Sequence, residues 1–391
     1  MTDRTTNTLK VGVIGLGGMG QGHCKRILEK VPEMKLAAVC DAHAPTAEKV
    51  GAEMKVPHFT AYQDLIAAKC CDAAIVATPH PLHPVIAIPC MEAGLHVLTE
   101  KPVSERIGTA ETMVRTAENK GVTLGVIFQQ RFAGPNRKAI DLMKSGVLGQ
   151  IHRVTALIPD YRTQAYYNAG GWRATWAGEG GGVLLNQSPH MVDLLVQLVG
   201  LPKSVRGRTR TFMHDIEVED LTDALLTYPH GGIGYIYCST IEPQSGAGVQ
   251  FTIAGENGKL ILADGGVRLF KYPKGISAFT RETTDMWAKF GAEEVPLDYK
   301  KEWPAHEAAM QNFARHILFG EEFKCSARSG LGQLELANAI LLSSWTDKEL
   351  DLPIDRNLYE KLLNERCAKS RLHTKMQRED IRLTDPSFTK K

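Results

Sequence analysis

Three observations in the 391-residue sequence predict an α/β protein built from two unlike domains. Short apolar runs alternate with helical stretches through the first third, and a glycine-rich turn follows the first apolar run. Beyond residue 128 the pattern changes to strands joined by glycine-containing turns. The expected layout is an N-terminal doubly wound domain at 1–128, a C-terminal α+β domain with a large, mostly antiparallel sheet at 129–366, and a charged tail at 367–391.

The first apolar run, Lys10 to Gly15, suits a strand buried on both faces. Gly15, Gly17 and Gly20 follow with the G-x-G-x-x-G spacing, and Gln21 to Lys30 forms a helix that stops before Pro32. Gly15 permits the tight turn, Gly17 lets the backbone approach a pyrophosphate, and Gly20 lets helix and strand pack closely. The first N–H groups of the helix then face the phosphates, which is the Rossmann arrangement for a dinucleotide.

A second apolar run, Leu36 to Cys40, ends at Asp41, where a carboxylate can accept hydrogen bonds from the adenosine ribose. That carboxylate repels a 2′-phosphate and Ala42 offers no compensating charge, so NAD is favoured over NADP. The alternation continues with helices near Thr46 to Met54, Tyr62 to Ala68 and Pro84 to Ala93, and strands at Ala73 to Ala77 and His96 to Leu98. Ligands collect outside the carboxyl ends of such strands, which places Thr78-Pro79-His80 and Glu100-Lys101-Pro102 at the cofactor crevice.

In the second half, a helix is expected over Asn136 to Lys144 and strands over Ile151 to Ile158, Ala224 to Thr227, Gly232 to Cys238, Val249 to Ala254 and Lys259 to Leu262. Helices are expected over Ala305 to Phe319 and Gly332 to Trp345. Tyr161, Trp172 and Arg173 combine aromatic planes with a guanidinium, a set suited to a polyhydroxylated ligand. Asn186 and His190 stand four apart, so on a helix they would share one face.

Composition narrows the class. With 43% hydrophobic and 23% charged residues the chain reads as an ordinary globular protein, and a net charge of +2 is too small for a nucleic-acid partner. No segment approaches the roughly 20 apolar residues that span a bilayer, so a cytoplasmic protein without a membrane partner is expected. The eight cysteines show no CxxC and no zinc-ligand spacing and are expected to be reduced. His80 and His83 have H-x-x-H spacing but lack a clear third ligand, so no metal is expected.

Val11 to Gly20, Ala77-Thr78-Pro79 with His83, Gly94 to Pro102, and Gly180 to Asp193 together resemble the Gfo/Idh/MocA family, that of glucose-fructose oxidoreductase and inositol dehydrogenase. The likeness runs over nearly the whole chain. It implies that Lys101 sits beside the nicotinamide and the substrate hydroxyl, that Glu100 lies on the nicotinamide side, and that His190 serves as acid or base. A histidine with an ordinary pKa of about 6.5 suits proton exchange near neutrality. Many members carry aspartate where this chain has Asn186, and asparagine where it has His80. An amide binds a hydroxyl but takes no proton, so the proton role would rest on Lys101 and His190.

Together these readings assign cofactor contacts to Gly15, Gly17, Gly18, Met19, Gly20, Asp41, Thr78, Pro79, His80, His83, Glu100, Lys101 and Gln129. Substrate contacts are expected from Lys101, Tyr161, Trp172, Arg173, Asn186 and His190, with Asp193 as a candidate to orient the imidazole. The implied activity is hydride transfer between NAD and a hydroxyl or keto carbon of a sugar, glycoside or inositol. The alternatives are NAD-assisted, redox-neutral glycoside cleavage and a non-catalytic dinucleotide sensor. A sheet left uncovered by helices further favours a homodimer or homotetramer.

Overall fold

A computed structural model describes residues 8–243, 248–303 and 305–371. The first half runs β1 (Leu9–Ile14), α1 (Gly18–Lys30), β2 (Met34–Cys40), α2 (Ala44–Met54), β3 (His58–Phe59), α3 (Tyr62–Ala67), β4 (Ala73–Val76), α4 (Leu82–Glu92), β5 (His96–Thr99), α5 (Ile107–Lys120) and β6 (Leu124–Val126). Its six strands lie in the order β3-β2-β1-β4-β5-β6, and every pairing is parallel. Helices therefore cover both faces, and β4 is buried throughout. The order in which successive strands are added reverses between β1 and β4, which opens a crevice beyond their carboxyl ends.

The second half comprises α6 (Gly134–Lys144), β7 (Ile151–Pro159), α7 (Gln164–Asn168), α8 (Trp176–Glu179), α9 (Pro189–Val199), β8 (Ser204–Arg210), β9 (Leu221–Thr227) and β10 (Ile233–Ser239). It continues with β11 (Gln250–Gly255), β12 (Gly258–Ala263), β13 (Gly266–Lys271), α10 (Ile276–Glu282), β14 (Glu293–Val295), α11 (His306–Phe319), α12 (Ala327–Thr346), β15 (Leu350–Asp351) and α13 (Arg356–Cys367). Nine strands form one sheet, β14-β13-β12-β11-β7-β10-β9-β8-β15. Only β7 and β10 pair in parallel; their neighbours are antiparallel. The long α12 packs on β8, α5 and α9 and so ties the two sheets together.

Several elements escape the pattern reading. The solvent side of β8 carries arginines in the run Ser-Val-Arg-Gly-Arg-Thr-Arg, which masks the alternation of its buried side. Helix α1 begins at Gly18, three residues before the expected start, because the glycine turn is already helical at its end. Asn186 is not on a helix: α9 begins at Pro189, a residue suited to the first helical turn, and Asn186 lies in the turn before it. The expected tail at 367–391 begins at the last residue of α13, and from residue 372 onward it lies outside the described residues. All eight cysteines are unpaired.

Candidate active site

The carboxyl ends of β1, β2, β4 and β5 assemble the first wall of a cleft. Gly15 has φ +91°, and a Cβ there would stand 2.7 Å from the Ala77 carbonyl oxygen. A Cβ on Gly20 would stand 1.8 Å from the Gly15 oxygen, so these two glycines are demanded by the protein itself. Gly17 differs: a Cβ there meets nothing within 4 Å. Its bareness leaves room for a ligand at the N-terminus of α1, where no side chain caps the N–H groups of Gly18, Met19 and Gly20.

Asp41 at the end of β2 accepts from the backbone N–H of Leu16 at 2.7 Å and of His43 at 2.8 Å. Its carboxylate thereby faces the glycine turn, with further lone pairs for a ribose diol. Thr78 Oγ1 is buried without a partner among the described residues. The bare cradle, the oriented carboxylate and the orphaned hydroxyl together fit a dinucleotide. His83 is fully buried, with its ring nitrogens against the carbonyl oxygens of Pro102 (2.8 Å) and Thr78 (2.9 Å). It braces two loops of the crevice rather than lining it. His80 Nδ1 faces the Glu179 carbonyl oxygen at 3.0 Å, so both imidazoles of the H-x-x-H pair are spent on backbone.

Lys101 follows β5, and its Nζ donates to the Asn186 carbonyl oxygen at 2.5 Å, with Asn186 Oδ1 at 3.5 Å. Burial lowers the Lys101 pKa to about 8, with Glu100 and Glu179 opposing and Arg173 and Arg162 reinforcing the fall. The Glu100 carboxylate bonds His23 Nε2 at 2.8 Å. Burial works against its charge, but His23, then His306 and Lys101, hold the carboxyl well below its usual range.

Gln129 Nε2 stands 3.2 Å from His190 Nε2, while His190 Nδ1, Gln129 Oε1 and Gln187 Oε1 are buried without partners among the described residues. Burial, followed by the Lys101 charge, lowers the His190 pKa to about 3. This alters the sequence expectation of an imidazole titrating near neutrality: His190 is neutral at physiological pH. Asp193 does not orient it. That carboxylate is bonded to Arg131 Nε at 2.7 Å in a buried ion pair.

Trp172 and Arg173 come to the same cleft. The Trp172 ring lies 5.4 Å from His80, and the Arg173 guanidinium stands 4.5 Å over Trp172 and 4.6 Å over Tyr166, donating to the Tyr166 hydroxyl at 2.7 Å. Tyr161 is 46% exposed and is not brought into this cluster, whereas the neighbouring Arg162 is felt electrostatically at Lys101. Sequence reasoning missed His23, His306 and Glu179. Glu179, directly before the triple glycine, had a readable signal; His306 had none.

A parallel 3-2-1-4-5-6 sheet with a bare glycine cradle, joined to a second half whose α9 and preceding turn bring a histidine and an asparagine to a buried lysine, defines a dinucleotide-binding oxidoreductase. The chain belongs to the Gfo/Idh/MocA family: residues 9–128 match its "Oxidoreductase family, NAD-binding Rossmann fold" description, and residues 136–261 match its C-terminal domain. The WlbA dehydrogenase from Bordetella pertussis, solved with NADH and UDP-GlcNAcA, is 28% identical with a TM-score of 0.77, over 89% of this chain and 100% of that one. The scyllo-inositol 2-dehydrogenase (NADP(+)) IolW of Bacillus subtilis (strain 168) is 26% identical over 259 residues, 66% of this chain and 70% of its own length. The D-glucoside 3-dehydrogenase of Escherichia coli (strain K12) is 29% identical over 218 residues, 52% of this chain and 58% of its own. No helix among the described residues is long and apolar enough to cross a membrane.

Proposed function

We propose that this protein is an NAD-dependent dehydrogenase acting on a hydroxyl or keto carbon of a small sugar, glycoside or inositol. The observation that carries this reading is Lys101, a buried ammonium held on Asn186 beside His190 and across from the bare glycine cradle. In this reading residues 1–128 hold the dinucleotide and residues 129–366 supply the substrate side. The glycine turn and the α1 N-terminus would hold the pyrophosphate, and Asp41 the ribose, which favours NAD over NADP. When bound, the nicotinamide supplies hydride acceptance or donation.

The protein's own part is proton transfer and positioning. With a pKa of about 8, Lys101 is neutral in about a tenth of molecules at pH 7, enough to accept the substrate hydroxyl proton during oxidation. In the opposite direction the ammonium stabilises the growing alkoxide. Neutral His190 hydrogen-bonds the same hydroxyl through its unpartnered Nδ1. The clamped Arg173, with no carboxylate within 4.0 Å among the described residues, supports a substrate that bears a carboxylate or phosphate. The nucleotide sugar acid bound by the Bordetella pertussis relative agrees with that preference.

The test follows absorbance of the reduced nicotinamide while NAD and the protein are offered inositols, aldoses, hexuronates, glycosides and a nucleotide-linked hexuronate, with Lys101→Ala in parallel. Reduction that requires Lys101 is expected, greatest on an anionic sugar. If NAD binds but no compound reduces it, the dehydrogenase reading fails. Glycoside cleavage without net reduction would then favour the redox-neutral reaction, and silence in both assays a sensor.

A further inference from the structure

Glu179 is the last residue of α8 and is fully buried. One carboxylate oxygen accepts from Asn186 Nδ2 and the other from the backbone N–H of Ala174 at 2.8 Å, while its carbonyl faces His80 Nδ1 at 3.0 Å. Asn186 in turn offers its carbonyl oxygen and Oδ1 to Lys101 Nζ. A carboxamide has two ends of nearly equal size and opposite hydrogen-bonding sense. Only one orientation presents oxygen to an ammonium, and a carboxylate at the other end selects it.

We infer that Glu179 is a positioning residue: through Asn186 it holds the amide oxygen toward Lys101, and through Ala174 it holds the loop that carries Trp172 and Arg173. This rests on the reading of Lys101 as the proton-transfer group. The charged and titratable groups around Lys101 are Glu100, Arg162, Arg173 and Glu179, together with His80, His190 and His306. Those around Glu179 are Arg173, Lys101, Glu219 and Tyr167. Burial raises the Glu179 pKa to about 7, against the pull of Arg173, so its charge changes close to where Lys101 titrates. Protonated Glu179 would donate instead of accept, turn the amide over and withdraw Oδ1 from the lysine.

The experiment needs no substrate. The full chain is pulsed with trace acetic anhydride across pH, and acetylation of the Lys101 peptide is followed by mass spectrometry. In the unmodified chain the curve is expected in two steps, the first near pH 7 where Glu179 ionises; a single step overturns the proposal. In Glu179→Gln, shown to be folded by near-ultraviolet circular dichroism, the first step should vanish and the lysine midpoint fall by about half a unit or more. An unmoved midpoint in the folded variant likewise overturns it. On any substrate found, Glu179→Gln should lower kcat about tenfold or more with KM within about threefold, whereas loss of a mere loop support would raise KM alone. Should the unmodified protein oxidise nothing, the dehydrogenase reading fails while the acetylation curves still decide the coupling.

Discussion

Gly17 and Lys101 show how a single residue reports on a ligand. Because nothing in the protein opposes a side chain at Gly17, Gly17→Val should leave the urea unfolding midpoint nearly unchanged while weakening NADH binding at least about tenfold. Gly20→Ala should harm folding as well, since its Cβ overlaps the Gly15 carbonyl. Fluorescence quenching alongside urea titration separates the two. Lys101 sets the pH dependence. Its amine must be neutral to take a proton, so oxidation should rise as pH increases, in a first step near 7 where Glu179 ionises and a second through about 8, and then level, and reduction should fall over the same range. His190, at about 3, stays neutral throughout and adds no limb. Rates recorded between pH 6 and 10 on the best substrate check this, and Lys101→Arg, which never deprotonates, should abolish oxidation.

At the scale of elements, the start of α9 is held by a device that sequence reading passed over. Arg131 Nε and Nη2 clamp Asp193 on α9, and Nη1 donates to the Lys324 carbonyl and to Ser329 Oγ on α12. Both partners of this ion pair are almost fully buried, at 4% and 1% exposure. Asp193→Ala would strand the guanidinium away from water, so a loss of about 3–5 kcal/mol in unfolding free energy is expected, measured by urea titration. The glycine turn, Asp41 and the Glu-Lys-Pro stretch were legible in the sequence because each is local, an apolar strand followed at once by residues that punctuate it. The helical reading of Asn186 failed for an equally local reason. Pro189 suits a helix start and the preceding glycines do not, so the helix begins three residues after the asparagine.

For the whole molecule, the nine-stranded sheet has one face against α12 and one that no long helix covers among the described residues. On that outer face Leu225 pairs across from Tyr235, and Leu225 and Ile233 are 61% and 63% exposed. The expectation of a homodimer or homotetramer is tested there: Leu225→Lys with Ile233→Glu should shift sedimentation toward the monomer without changing NADH binding. Unchanged sedimentation would place any self-association elsewhere.

The amino-acid sequence by itself determined the parallel βα half, its glycine cradle and the lysine at the end of β5, because these depend on neighbours within a few residues. It could not determine which groups meet Lys101 or how they titrate. Asn186 is 85 residues from Lys101 and meets it only because the two halves pack together, and His23 reaches Glu100, 77 residues away, only through the folding of the first half. Burial at that junction lowers the lysine to about 8 and the histidine to about 3 and lifts Glu179 to about 7, so removal from water, rather than residue type, decides which group exchanges protons.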